Sequence, residues 1–216
     1  TAGQENALED IRGDLAQPAP MQRLLHGEVG AGKTLVALLA MATVVDSGGQ
    51  AALLAPTEVL AQQHFASITG MLGEFAQAGM LTGDAAGTQV VLLTGSMTAA
   101  ARKEALLKTM TGEAGIVVGT HALLNEKVQF ADLGLVVVDE QHRHAVEPRA
   151  ARPVRRADNR RPHLLVMTAT PIPRTVAMTV FGDLDVTTLR ELPGGRAGIS
   201  TFVVDEHRAP RHATRM

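Results

Sequence analysis

One short segment has the residue types and the spacing that bind nucleotide phosphates. It matches the pattern G-x-x-x-x-G-K-S/T and consists of Gly27, Glu28, Val29, Gly30, Ala31, Gly32, Lys33 and Thr34. In such a loop the glycines let backbone N–H groups surround the phosphates, the lysine reaches the β- and γ-phosphates, and the hydroxyl binds Mg²⁺. The alternative is a glycine-rich turn that caps a helix. The apolar run before the segment and the apolar stretch after it favour the phosphate-binding loop.

A pair of acidic residues far along the chain supplies the groups that hydrolysis needs. Asp139 and Glu140 end the apolar run Leu135–Val138. If that run is a strand that emerges beside the loop, Asp139 holds Mg²⁺ through its water shell and Glu140 orients and deprotonates the attacking water. Taken alone, such a pair is typical of a turn or a helix N-cap. Together with the loop it predicts hydrolysis of a nucleoside triphosphate.

Other polar residues near the acidic pair could sense the γ-phosphate and convey its presence elsewhere. They are Gln141, His142 and Arg143, directly after the acids, and Thr168 and Thr170, at the end of the next apolar run. Each has an alternative explanation. The two threonines could form strand-end hydrogen bonds before Pro171, and His142 could be an ordinary surface residue.

The elements that must position these residues alternate between short apolar runs and helical stretches. Predicted strands are Met21–Leu25, Ala51–Ala55, Val90–Leu93, Gly115–Val118, Leu133–Val138, His163–Met167 and Ser200–Val204. Predicted helices are Gly32–Asp46, Thr57–Gly70 and Thr98–Met110. Several strands are continuously apolar, as strands covered on both faces are. The pattern predicts an α/β fold with a mainly parallel sheet and helices on both faces.

Composition narrows the class of protein. The chain has 216 residues, of which 45% are hydrophobic and 19% charged, which excludes a disordered or collagen-like chain. It has no cysteine, which excludes disulfides, thiol nucleophiles and cysteine-held metals. The longest apolar run, Leu35–Val45, is too short to cross a bilayer. We therefore expect a soluble, cytoplasmic protein with no membrane partner.

The charge distribution is compatible with the binding of a nucleic acid. Between Gln141 and His163 there are seven arginines and two acids, although the whole chain carries a net charge of −2. Such a stretch can meet phosphates, or it can be a solvated loop. With five Phe and neither Trp nor Tyr, there is little material for stacking bases. Any nucleic acid is expected to be held by its backbone.

The motifs together resemble the superfamily 2 DNA helicases, and within them the RecG family. The blocks that carry the resemblance are Asp139–Arg143, Met167–Thr175, Ala55–Ala61, Leu93–Ser96, Gly119–Leu124 and Phe181–Asp185. The transcription-repair coupling factor is a close relative, but its second acid and its loop phenylalanine are replaced here by Gln141 and Ala31. The resemblance implies the first RecA-like lobe of an ATP-dependent helicase that acts on branched DNA, with ATP and Mg²⁺ as cofactors.

The resemblance also implies roles for individual residues. Gln4 belongs to the segment that recognises adenine, and Thr57, Ser96 and Thr120 lie in blocks that contact the DNA backbone. The catalytic set is Lys33, Asp139, Glu140 and Gln141, with Thr34 and Asp139 at the metal, and the coupling set is His142, Arg143, Thr168 and Thr170. As isolated residues, Thr57 and either Ser96 or Thr98 could simply cap helices.

The family pattern also sets expectations for the rest of the protein. Residues 1–195 correspond to the ATP-binding lobe, and residues 196–216 to a linker and the truncated start of a second RecA-like lobe. That lobe and the N-terminal wedge domain of the family are not in this sequence, so we expect a fragment whose partners are those two domains and DNA. The segment His144–Arg149 departs from the family pattern, which places its coupling role in question.

Two further functions fit the same loop. One is a small-molecule phosphotransferase, which would need an acceptor pocket and a lid arginine near the phosphates. The other is a non-catalytic, nucleotide-gated interaction module. Phosphate release with and without branched DNA separates the motor from the first, and the turnover of a Glu140→Gln variant separates it from the second.

Overall fold

The computed structural model describes residues 1–73, 87–120, 123, 128–140, 161–170 and 184–190. Several predictions lie outside the described residues. They are the strand Ser200–Val204, the domain boundary near residue 195 and most of the arginine-rich stretch.

A single parallel sheet organises the described part of the chain. Its strands are β1 (Gln22–Gly27), β2 (Gln50–Ala55), β3 (Gln89–Leu93), β4 (Ala114–Thr120), β5 (Leu133–Glu140), β6 (His163–Thr168) and β7 (Asp185–Leu189). They lie in the order β3-β4-β2-β5-β6-β1-β7, and every pairing is parallel. The predicted mainly parallel sheet is therefore confirmed.

Helices cover both faces of the sheet. They are α1 (Ala2–Leu15), α2 (Lys33–Asp46), α3 (Glu58–Leu72) and α4 (Ala99–Thr111). The first three pack on one face, where Ile11, Met41 and Ile68 are fully buried, and α4 packs on the other through Ala105. The expected α/β fold with helices on both faces is confirmed.

The continuous apolar strands follow from this arrangement. Successive strand residues point to opposite faces, so Leu53 belongs to the core under α2 and α3 while Leu54 belongs to the core under α4. Both are buried, and each such leucine contributes roughly 1.5–3 kcal/mol of burial free energy. Because neither face meets water, the strands need no polar alternation.

Two elements, α1 and β7, were not predicted. Only Ala7 and Ile11 of α1 are buried, so its apolar stripe is weak. Its sequence signal is instead a capping box, in which Thr1 and Gln4 satisfy each other's backbone N–H groups. β7 is a short edge strand in which Thr187 and Leu189 are buried and the other three residues are exposed. It lacks the apolar run by which the other strands were recognised.

A half-buried arginine attaches these two elements to β1. Arg23 Nε donates to Asp14 Oδ2 at 2.7 Å, and its guanidinium also donates to Thr187 Oγ1 at 2.6 Å. The Thr187 hydroxyl in turn donates to Asp10 Oδ2 at 3.0 Å. This network holds α1 beside the strand that leads into the glycine-rich loop.

Among the described residues, no helix combines the length and the apolar character that a membrane span requires.

Candidate nucleotide-binding site

The glycine-rich loop connects the carboxyl end of β1 to the first residue of α2. Gly30 and Gly32 have φ values of +86° and +82°, which residues with a side chain rarely adopt. Gly32 is the N-cap of α2, and the first turn of the helix directs its unpaired N–H groups and positive dipole end toward the loop. This local geometry suits an anion.

Lys33 lies against the loop that it follows. Its Nζ donates to the carbonyl oxygens of Gly27 at 2.6 Å and Glu28 at 2.9 Å. Partial burial lowers the pKa of Lys33, and the negative charge of Asp139 opposes that shift. The two residues, distant in sequence, are therefore close enough to interact electrostatically.

Asp139 reaches the site from β5, which is separated from β1 by a single strand. In the paired registers, Asp139 is level with Met167 of β6, and Met167 is level with Leu25 of β1. The loop begins two residues beyond Leu25, at the same edge of the sheet. The Asp139 side chain is 8% exposed, and its Oδ2 lies 2.6 Å from Nε2 of His64 on α3.

The structure describes the remaining predicted catalytic and metal-binding residues only in part. Thr34 is the second residue of α2 and is half-buried. Glu140 is the last residue of β5 and pairs with Thr168, but the structure describes only its backbone. Gln141, His142 and Arg143 lie outside the described residues.

The residue types fit a magnesium ion that is shared with a nucleotide. Magnesium keeps several waters and is usually held by one or two carboxylates together with substrate phosphates. Within the described ranges, no group of three or more His, Asp or Glu residues could hold a metal ion. Asp139 and the hydroxyl of Thr34, at one edge of the sheet, match the smaller donor set.

Gln4 contacts the loop from α1. Its Nε2 donates to the carbonyl oxygen of Ala31 at 3.0 Å, and a Cβ built on Gly32 would lie 2.1 Å from the same nitrogen. The absence of a side chain at Gly32 is thus what lets Gln4 approach. The structure therefore places Gln4, the predicted adenine-recognising residue, beside the glycine-rich loop.

The threonines predicted to couple sites are bonded to each other. Thr168 is 1% exposed, and its Oγ1 lies 3.2 Å from Oγ1 of Thr170 and accepts from the Thr170 N–H at 3.2 Å. These are the strand-end hydrogen bonds of the alternative explanation. Thr168 is also level with Glu140 on β5 and with His26 on β1, which puts it between the two halves of the site.

The three residues predicted to contact DNA lie at the same edge of the sheet, beyond β5. Thr57 follows β2, Ser96 follows β3, and Thr120 ends β4 beside Ala55. Thr57 caps α3, because its Oγ1 accepts the Leu60 N–H at 3.3 Å. Thr98, rather than Ser96, caps α4. Ser96 is exposed and has no capping role, and its hydroxyl lies 3.4 Å from Oγ1 of Thr94.

Glu58 joins two of these blocks. Its Oε1 accepts the Gly95 N–H at 2.7 Å. Hydrogen bonds from the Ser96 hydroxyl and then from the Gly95 N–H lower the pKa of Glu58. The start of α3 and the loop after β3 therefore form one surface.

His64 is the site residue that the sequence analysis missed. A signal for it exists, because His64 lies three residues after Ala61 and four before Ile68, and both of those are buried on the inner side of α3. That spacing places a polar imidazole on an apolar face. A buried hydrogen-bond partner for the imidazole was therefore to be expected. Which residue it is depends on which strand packs next to β2.

The parallel sheet and the glycine-rich loop at the end of β1 define the class, a RecA-like P-loop lobe. A family model described as DEAD/DEAH box helicase matches residues 1–179, so the chain belongs to the DEAD/DEAH box helicase family.

Individual relatives show which helicases within this family the chain is similar to. RecG of Mycobacterium tuberculosis (strain ATCC 25618 / H37Rv), named an ATP-dependent DNA helicase, is 57% identical over 204 residues, which are 94% of this chain and 28% of the relative. RecG of Haemophilus influenzae is 46% identical over 211 residues, which are 96% of this chain and 29% of the relative. A structure of RecG bound to a three-way DNA junction superposes with a TM-score of 0.79 at 36% identity and covers 100% of this chain and 27% of that one.

These similarities confirm the predicted resemblance to the RecG motor lobe. The chain spans less than a third of the length of the curated relatives that it matches.

Proposed function

We propose that this chain is the ATP-binding motor lobe of a RecG-type DNA helicase. In the whole enzyme, ATP hydrolysis would be coupled to the remodelling of branched DNA such as replication forks and Holliday junctions, in recombination and repair. The names of the RecG relatives and the junction-bound RecG structure support this assignment. They do not favour a transcription-repair coupling factor or a small-molecule phosphotransferase.

The observation that carries the proposal is that Lys33 and Asp139 lie at the same edge of the sheet, as the registers of β5, β6 and β1 show. Lys33 uses two of its three N–H donors on the loop carbonyls, which holds its charge at the loop and leaves a donor for a phosphate oxygen. Asp139 contributes a carboxylate within electrostatic range of that charge. A triphosphate with its metal needs both signs of charge side by side.

The remaining roles are those that the resemblance to RecG implies. Gln4 and the loop from Gly27 to Gly32 would hold the nucleotide. Thr34 and Asp139 would hold Mg²⁺, which when bound neutralises charge on the phosphates. Glu140 would act as the base, and Gln141 would assist at the γ-phosphate.

Other partners belong to the complete enzyme. The second RecA-like lobe would supply an arginine that stabilises transition-state charge, an effect on the order of 10³–10⁵ in rate. DNA would lie along the blocks that contain Thr57, Ser96 and Thr120, held by its backbone and therefore without sequence preference. The wedge domain would engage the branch point. We expect the lobe alone to bind nucleotide weakly and hydrolyse it slowly.

Calorimetric titration of this chain with ADP and Mg²⁺ tests the nucleotide site. Lys33→Ala should weaken binding about 10- to 100-fold, because a hydrogen bond to a charged group contributes roughly 1.5–3 kcal/mol. Lys103→Ala, at an exposed position on α4, is the matched control and should bind as the parent chain does. Equal affinity in the Lys33 and Lys103 variants would contradict the assignment of the loop.

The motor function requires a longer protein that includes the second lobe. There, Glu140→Gln should abolish ATP hydrolysis while nucleotide binding persists, and branched DNA should stimulate hydrolysis by the parent protein. Turnover that survives Glu140→Gln would instead favour a nucleotide-gated interaction module.

A further inference from the structure

The contact between His64 and Asp139 has no role in the function proposed above. His64 Nε2 and Asp139 Oδ2 are 2.6 Å apart, and their side chains are 13% and 8% exposed. A charge-assisted hydrogen bond this short and this sheltered is among the stronger polar contacts that a protein makes. It is also specific, because it joins a helix on one face of the sheet to the end of a central strand.

The fold brings His64 to this position in three steps. Thr57 caps the start of α3 directly after β2. Ala61 and Ile68 are buried against the sheet. His64, three residues after the first and four before the second, lies on the same face of α3 and therefore points toward the sheet. β5 is the neighbour of β2, so the inward imidazole meets the carboxylate at the end of β5.

The hydrogen bond determines what the carboxylate can do. With a proton on Nε2, His64 donates to Oδ2, which fixes the orientation of the carboxylate and leaves Oδ1 for a metal-bound water. Carboxylates and imidazoles at metal sites are commonly oriented by such outer partners, and removal of the partner typically costs about 10- to 100-fold in metal affinity.

We propose that His64 is a positioning residue for the metal site, which orients the Asp139 carboxylate toward the magnesium ion of the bound nucleotide. The proposal rests on the proposed function, because it assumes that Asp139 serves a metal. It adds that α3, whose first residue Glu58 holds the loop at Gly95, is directly bonded to the metal-site carboxylate.

Nucleotide binding as a function of Mg²⁺ tests this role in the present chain. Fluorescent mant-ADP is bound first in EDTA and then at increasing Mg²⁺, and bound Mn²⁺ is measured separately by electron paramagnetic resonance. His64→Leu should leave binding in EDTA unchanged but raise the Mg²⁺ concentration at half-maximal enhancement about tenfold or more, with a parallel loss of bound Mn²⁺. Gln63→Ala, at the exposed neighbouring position, should behave as the parent chain does.

Two polar variants keep the test valid if His64→Leu does not fold. The amide nitrogen of glutamine can occupy the place of Nε2, whereas asparagine is too short to reach it. His64→Gln should therefore preserve most of the Mg²⁺ response, and His64→Asn should lose it.

The outcomes separate this inference from the function on which it rests. An unchanged Mg²⁺ midpoint in His64→Leu, or an equal loss in the Gln and Asn variants, overturns the positioning role alone. If the parent chain binds mant-ADP without any response to Mg²⁺ and holds no Mn²⁺, the metal assignment of Asp139 fails, and the positioning role fails with it.

Discussion

Glu58 accepts a 2.7 Å hydrogen bond from the backbone N–H of Gly95, which fastens the start of α3 to the loop after β3. The Ser96 hydroxyl and the Gly95 N–H together lower the pKa of that carboxylate. Two sequence blocks that were each predicted to touch DNA are thus joined by an acid, which repels phosphate. The Glu58 carboxylate therefore serves to hold the loop at Gly95, and its negative charge is unfavourable for the binding of DNA.

This contact predicts a specific dependence of stability on pH. Because the pKa of Glu58 is lowered in the folded state, the folded protein binds that proton less readily than the unfolded chain does. The contribution of Glu58 to stability is complete above its ordinary pKa of 4.5 and is lost as the pH falls through the lower folded value.

Glu58→Gln should therefore flatten the loss of stability in acid. Urea unfolding at roughly pH 6 and pH 3.5, on either side of the ordinary value, measures the free energy of unfolding. The difference between the two pH values should be smaller in Glu58→Gln than in the parent chain. Glu9→Gln, at an exposed site on α1, provides the control. An identical acid slope in the Glu58 and Glu9 variants would contradict the prediction.

The two left-handed glycines of the loop offer a second, paired prediction. Alanine at either Gly30 or Gly32 adopts an unfavourable backbone conformation at a cost of roughly 1–2 kcal/mol. Space is open around a Cβ at Gly30, whereas a Cβ at Gly32 collides with the amide of Gln4. Gly32→Ala should therefore destabilise the protein by about 1 kcal/mol more than Gly30→Ala, because it also breaks the hydrogen bond from Gln4 to Ala31.

Thermal or urea unfolding of both alanine variants in a Gln4→Ala background isolates the cause. Without the Gln4 amide, the extra cost at Gly32 should disappear and the two variants should unfold alike. A difference that persists in that background would mean that something other than Gln4 limits the space at Gly32.

A comparison of two helix-capping threonines tests whether Thr57 contacts DNA in addition to capping α3. Thr57 and Thr98 each cap a helix in the same way, so Thr57→Ala and Thr98→Ala should each lower the free energy of unfolding by about 1 kcal/mol. In a longer protein with both lobes, only Thr57→Ala should also weaken the binding of fluorescent forked DNA, measured by anisotropy. Equal DNA affinity in the two variants would leave Thr57 with a capping role alone.

Much of the site could be recognised because its chemistry is local. Residues 27–34 contain in sequence order everything that the loop needs, namely glycines for the left-handed turns and a lysine and a threonine at the start of a helix. Asp139 and Glu140 could likewise be placed at a strand end, since a continuous apolar run must stop where the sheet meets water. Strands covered on both faces can also be recognised by their continuous apolar composition. The edge strand β7 has no such run and was therefore missed.

The tertiary structure decided which of these local features meet. The order β5-β6-β1 brings Asp139 within electrostatic range of Lys33, and the order β2-β5 brings His64 to the same carboxylate. Strand order and helix placement arise from packing between segments that are far apart in the chain, so no pattern within a single segment specifies them. Local residue types therefore determined the kind of chemistry, and long-range packing determined the partners of each group.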